Sequence, residues 1–426
     1  MISVTQLLSL AAAFGALCTS VGANAIPLST RQDTNHWVTS WTSMPQLVEP
    51  DNLPPSPFKS GNAVFNDATL RQTLHMSLAF DRVRLQISNT FGGTDLTITA
   101  ASLALPRTDK AGVNNIHIET LKPLTFSNGS PSITIPKGKT AYTDPLDFYH
   151  IAAQSTLSVS LYLKNGQSGT SITGHPGSRT TSWMASGNKV NETDVTGAST
   201  KHWYFVSAVE AWVPSNTSAL VILGDSITDG RGSTDDGNNR WPDMLLARMP
   251  AAGITNVGVV NQAAGGNAVL SGGLGPTLLS RYTRDGITQQ GVKYLMIFEG
   301  VNDIGGSSTD ASTQSSIGDR LISAFKQITS DAHKAGLITI GATITPFGGS
   351  GQSYSNPERE KTRVKVNKWI LNSGGAFDKV VDFAAAVGNP GNVAQLANKY
   401  DGGDHLHPNV DGYITMANAF DMSIFK

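Results

Sequence analysis

The chain has 426 residues, with 31 Lys and Arg against 32 Asp and Glu and a net charge of -1. That balance creates no field of one sign, so nucleic acid and anionic membrane surfaces are not expected partners, and neutral or weakly charged substrates fit better. The length suits two domains, 39% hydrophobic residues can fill real cores, and the only cysteine, Cys18, leaves a processed chain with neither thiol chemistry nor disulfides.

The first 25 residues read as a secretory signal: an apolar run from Leu7 to Leu17, then small and polar residues ending in Ala23-Asn24-Ala25. The n-region lacks Lys and Arg, and a membrane anchor is the alternative, but the run is shorter than the roughly 20 residues a spanning helix needs. The expected location is extracellular, with no membrane anchor once the signal is removed. Three sequons, at Asn128, Asn191 and Asn216, agree with secretion; Pro131 disfavours the first.

From His36 to Val213 the chain reads as β. Apolar and polar residues alternate in Leu74–Leu78, Val83–Ile87 and Leu157–Leu163, and turn residues punctuate them at Gly92-Gly93, Asn128-Gly129 and Asn165-Gly166. Short strands with such turns predict an all-β sandwich, jelly-roll-like, over 36–213. The polar stretch Pro214–Thr217 is the expected boundary. Beyond it, over 218–426, strand candidates (Ala219–Leu223, Val257–Val260, Tyr294–Phe298, Ile338–Thr343, Lys379–Phe383) alternate with amphipathic segments (Trp241–Arg248, Ile317–Lys334, Glu358–Asn372, and one after Pro408). Alternation of this kind predicts a parallel sheet covered on both faces, with functional groups at the carboxyl ends of its strands.

The first of these strands runs into Gly224-Asp225-Ser226, which places Ser226 at a carboxyl edge. Ser226 is there either a turn or cap residue, or a nucleophile in need of a base. Asp404-His405-Leu406-His407 can supply one: an Asp and a His three residues apart share a face, so Asp404 can hold one imidazole nitrogen of His407 while the other takes the serine proton. A metal site of Asp404, His405 and His407 is the rival reading; no further ligand cluster with zinc spacing and no H-E-x-x-H accompanies it. The loop Asn261–Asn267 follows the second strand, and Gly300-Val301-Asn302-Asp303 follows the third. Backbone N–H groups there, the Asn302 amide and the Ser226 N–H can together hold an oxyanion.

Other polar residues admit milder readings. Asp225 and Asp303 fit loop-fixing acceptors, Glu299 either meets substrate or is buried, and His405 suits a solvated loop. Trp241 fits the core better than a sugar platform. Asp235-Asp236-Gly237 lacks the ligand spacing of a calcium loop. His175 and Arg179 lie in a polar loop of the β half, where either could reach the site.

Taken together, Gly224-Asp225-Ser226, the Gly266 loop, Gly300-Val301-Asn302-Asp303 and Asp404-His405-Leu406-His407 resemble the SGNH, or GDSL, hydrolases over residues 218–426. The resemblance implies a three-layer α/β/α flavodoxin-like domain and serine ester hydrolysis. It assigns Ser226 as nucleophile, His407 as base, Asp404 as its partner, and the Ser226 amide, Gly266 and Asn302 as the oxyanion hole. Gly265 is the alternative to Gly266; Asn267 and Leu270 favour Gly266. The motif here reads Gly-Asp-Ser-Ile, a mild change at a packing position. Trp37–Trp41, Leu70–Leu74 and Val83–Gly92 resemble, more loosely, the N-terminal β region of secreted two-domain members. The expected function is a secreted serine esterase without metal or other cofactor, acting on small-molecule or polysaccharide esters, above all as an acetylesterase on carbohydrates. A lipase or general acylhydrolase, and a non-catalytic glycan-binding protein, are the alternatives.

Overall fold

The computed structural model describes residues 34–60 and 62–426; the expected signal lies outside them. From Asn35 to Pro214 all regular structure is β apart from two single turns of 3-10 helix. One antiparallel sheet joins Asn35–Thr42, Val206–Pro214, Phe80–Ser88 and Thr140–Tyr142. A larger one has Ala63–His75 paired to Thr156–Ser168 at its centre. Phe80–Ser88 follows the expected period: Val83, Leu85 and Ile87 are buried and Arg82, Arg84 and Gln86 are not. Thr156–Ser168 alternates in sequence but not in burial, because its serine face is covered too. Ser160 there accepts from Arg71 Nε at 2.9 Å, and Arg71 also donates to the carbonyls of Asn114, Thr193 and Glu192. Burial lowers the Arg71 pKa to about 10. The strand expected to run through Leu78 stops at His75, since Ser77 turns away to bond Ser40 through both its N–H and its hydroxyl.

Ser218–Gly224 opens a five-stranded parallel sheet, ordered Val257–Ala263, Ser218–Gly224, Val292–Phe298, Ile338–Ala342, Lys379–Val381 from edge to edge. The chain leaves Ser218–Gly224 first to one side and later to the other, which opens a crevice at the carboxyl end of this strand. Two groups of helices cover the sheet. Trp241–Arg248 and Phe383–Val387 pack on Val410–Ala419, and Ala311–Lys334 packs on Pro357–Leu371. The long helix begins at Ala311 rather than Ile317 because Asp310 caps it, accepting from Thr313 N at 2.8 Å. The last strand ends at Val381, where Asp382 caps the helix from Phe383.

The two halves share one continuous core, and Asn35–Lys426 form one compact unit. Asn35–Thr42 packs against the edge strand Val257–Ala263, with Thr42 Oγ1 donating to Asn261 O at 2.9 Å. Among the described residues no helix is long and apolar enough to cross a membrane.

Candidate active site

Strand Ser218–Gly224 ends where the backbone must turn sharply into a four-residue helix, Ser226–Asp229. A Cβ on Gly224 would lie 2.7 Å from Thr228 Oγ1 and 3.1 Å from Phe298 O, so only glycine fits the turn. Asp225 caps the helix through Ile227 N at 3.0 Å. Ser226 is thereby presented at the crevice, and its Oγ lies 2.7 Å from His407 Nε2. His407 Nδ1 faces Asp404 Oδ2 at 2.6 Å. A carboxylate only accepts, so Nδ1 donates and Nε2 is left with a lone pair for the serine proton. The other Asp404 oxygen accepts from the backbone N–H groups of Leu406 and His407, at 3.0 and 2.8 Å, and so fixes its own turn. Burial works against the Asp404 charge, but the hydrogen bonds from the His407 ring and from the His407 and Leu406 N–H groups prevail and hold the carboxyl well below the usual carboxylate range.

Three donors converge beside Ser226. Its own N–H and that of Gly266 take part in no hydrogen bond among the described residues. The Gly265 N–H is committed, donating to Asp229 Oδ2 at 2.8 Å. The other Asp229 oxygen lies 2.8 Å from His175 Nε2, and His175 Nδ1 lies 3.1 Å from Met44 O. Gly266 has φ of 70°, the left-handed region, which turns the loop back past Leu274. Asn302 donates one amide hydrogen to Asn267 O at 2.7 Å and accepts from the Tyr354 hydroxyl at 3.0 Å, leaving its second amide hydrogen unused. Asp303 holds the same loop, accepting from Val269 N and Leu270 N at 2.8 Å each.

Behind the loop lies a buried polar cluster whose centre, Arg281, the sequence did not flag. Arg281 donates to Asn267 Oδ1, Gln262 O, Gly224 O and Glu299 Oε2, and so ties two strand ends to the loop that carries Gly266. Burial pushes the Asp225 carboxyl up to about 7 and that of Glu299 up to about 8, and raises that of Asp303. Glu299 thus faces Arg281 rather than substrate.

The crevice is a cleft of about 350 Å³. Ser226, Gly266, Asn302 and His407 line it together with Arg231, Leu274 and Tyr354. Its opposite wall comes from the β half: Gln46, Glu49, Asn52 and Arg179. Arg179, left open by sequence, lines the cleft, and His175 lies beneath it. Gln46, Glu49 and Asn52 carried no sequence signal, because an ordinary polar loop gains its meaning only from the wall it meets. His405 points away and pairs with Asp401, so Asp404, His405 and His407 do not converge. Among the described residues no group of three or more His, Cys, Asp and Glu side chains is placed to hold a metal. Trp241 is core, fully buried, with Nε1 donating to Thr228 Oγ1 at 3.1 Å.

Residues 222–413, which include Ser226 and the Asp404–His407 turn, match the model of the GDSL-like lipase/acylhydrolase family. Comparison with curated proteins finds no match. Among solved structures the chain is similar to a lipase/acylhydrolase from Enterococcus faecalis, at 21% identity over 48% of this chain and 93% of the other, with a TM-score of 0.37. It is also similar to a lipolytic G-D-S-L protein from Veillonella parvula DSM 2008, at 20% identity, 48% and 96% coverage and a TM-score of 0.33. An acetylxylan esterase from Geobacillus stearothermophilus aligns at 22% identity, 49% and 97% coverage and a TM-score of 0.35. The chain thus carries, behind an all-β N-terminal region, a GDSL-like lipase/acylhydrolase domain, that of a carboxylic ester hydrolase.

Proposed function

We propose that this protein is a secreted serine esterase that removes short acyl groups, acetyl above all, from carbohydrates. The observation that carries the catalytic part is the chain of contacts from Ser226 through His407 to Asp404 at the wall of an open cleft. Ser226 Oγ attacks the ester carbonyl as His407 Nε2 takes its proton. The oxyanion of the tetrahedral intermediate rests on the N–H groups of Ser226 and Gly266 and the free amide hydrogen of Asn302. His407 then gives its proton to the departing alcohol. A water, activated by the same histidine, hydrolyses the acyl-enzyme, and Asp404 orients and stabilises the imidazolium throughout.

The carbohydrate part rests on the cleft lining. Gln46, Glu49, Asn52 and Arg179 offer donors and acceptors suited to sugar hydroxyls, while Pro176, Leu274 and Leu406 are the aliphatic side chains of the lining. The signal-like leader supports secretion, and the three sequon asparagines are all exposed. A lipase reading has one observation in its favour: Leu274, 51% exposed, stands at the cleft.

The test is activity on acetylated oligosaccharides beside 4-nitrophenyl esters of increasing chain length. Release of acetate, a fall in rate with longer acyl chains, and a loss of at least about a thousandfold in Ser226→Ala are expected. Preference for long chains would replace the carbohydrate reading with the lipase one. Firm glycan binding with no turnover of any ester would make the protein a binding module.

A further inference from the structure

Arg179 is the one arginine of the cleft wall held in a conformation that costs the backbone energy. Its φ is 52°, in the left-handed region that a residue with a Cβ rarely adopts. The surrounding turn is pinned so that it stays there. Asp236 N donates to Arg179 O at 2.8 Å, the Asp236 carboxylate accepts from Thr181 N and Oγ1 at 2.7 and 2.8 Å, and Ser178 Oγ donates to Thr180 O at 2.9 Å.

The side chain aimed by this turn is unsatisfied. Arg71, Arg240, Arg281 and Arg363 are buried, and each donates a hydrogen bond from Nε. The Arg179 Nε is buried and has no partner; the Nε of Arg359 has none either, but Arg359 donates to the carbonyls of Ser353 and Ser307 through its other nitrogens. Among the described residues its guanidinium forms no ion pair, yet it lines the cleft beside Ser226 and His407. A second guanidinium, that of Arg231, lines the same cleft; its nearest acid, Asp404, is 3.9 Å away and already bonded to His407. Arg231 therefore stands on the histidine side, where the alcohol of the ester departs. Against these two cations the cleft sets the Glu49 carboxylate, which accepts from Gln46 and Asn52. Of the other acids, Asp229 lines the cleft and pairs with His175, and Asp404, outside the lining, orients His407.

We propose that the alcohol part of the substrate is an acidic saccharide, and that Arg179, assisted by Arg231, binds its carboxylate. This rests on the esterase reading and narrows its substrate class to acylated uronic-acid-type sugars. The planar guanidinium fork matches a carboxylate in two parallel hydrogen bonds, which a neutral hydroxymethyl group cannot reproduce. The carboxylate is a handle and does not react; the bond broken is still the acyl ester at Ser226.

The experiment compares two acetylated methyl glycosides that differ only in carrying a carboxylate or the neutral carboxamide. For the wild type, kcat/KM should be at least about tenfold higher for the acid at low ionic strength, and the ratio should shrink as salt is added. Arg179→Gln should bring the ratio close to one and Arg231→Gln should lower it part of the way. A wild-type ratio at or below one overturns the proposal, as does an Arg179→Gln variant that slows both substrates equally. If that variant does not fold, the salt response of the wild type and the ratio for Arg231→Gln decide. Hydrolysis of 4-nitrophenyl acetate runs alongside. Activity there without preference for the acid sinks only the acidic substrate, whereas silence on all three esters sinks the esterase reading as well.

Discussion

Asn302 shows how much a donor depends on the group that orients it. Its amide has two hydrogens, one spent on Asn267 O and one left for an oxyanion, and the Tyr354 hydroxyl holds its oxygen so that the two cannot exchange places. Asn302→Ala should lower kcat by about a hundred- to a thousandfold, as for a lost oxyanion donor. Tyr354→Phe should lower kcat several-fold with little change in KM, and should have no further effect in the Asn302→Ala background; a double-mutant cycle on kcat checks this. Ser226, Asp404, His407 and Asn302 could be proposed from sequence because each sits in a short stretch whose neighbours carry meaning: a glycine turn, an Asp three residues before a His, a strand end. Tyr354 was not, since its partner lies 52 residues away and no spacing links them.

Among elements, the central strands of the second half are continuous apolar runs and Ala311–Lys334 follows a helical period, so the sequence placed them, apart from the first six residues of that helix. Short helices such as Ser226–Asp229, Leu278–Tyr282 and Val301–Gly305 span barely one turn, so no period exists to be read. Thr156–Ser168 misleads in the other direction, since alternation signals a wet face only where nothing covers it. Leu278–Tyr282 carries Arg281, whose four hydrogen bonds include the carbonyl ends of two strands, and burial makes that bracket hard to replace. Arg281→Met should destabilise the fold by about 3–5 kcal/mol, because it leaves Glu299 and two carbonyls buried without their cation. Urea unfolding of the variant beside the wild type measures it.

At the scale of the molecule, the buried acids set a pH dependence whose sign can be worked out. Asp225 and Glu299 have folded-state pKa values of about 7 and about 8, raised by burial above those of the unfolded chain. Between their unfolded and folded values the native state binds more protons, so their contribution to stability falls as pH rises from about 4 to 8. Asp404, held low, acts oppositely: its contribution is present above the unfolded value and is lost as pH falls. The Tm should therefore decline from about pH 5 to 8, and Glu299→Gln should flatten part of that decline; melting curves across this range test it.

The contact of His175 with Asp229 bears on whether the two halves can be separated. His175 Nδ1 faces a carbonyl and must donate, so the imidazole and the carboxylate share the remaining proton between them, and the pair carries no net charge. Asp229 belongs to the hydrolase half and His175 to the β half. A hydrolase half lifted out by recombination would keep the acid and lose what neutralises it, leaving a bare anion against the Gly265–Gly266 turn, where the proposed reaction gathers negative charge. Such a half is no interchangeable cassette: any lineage that shuffled it onto a new partner would have to reinvent a proton donor at that spot.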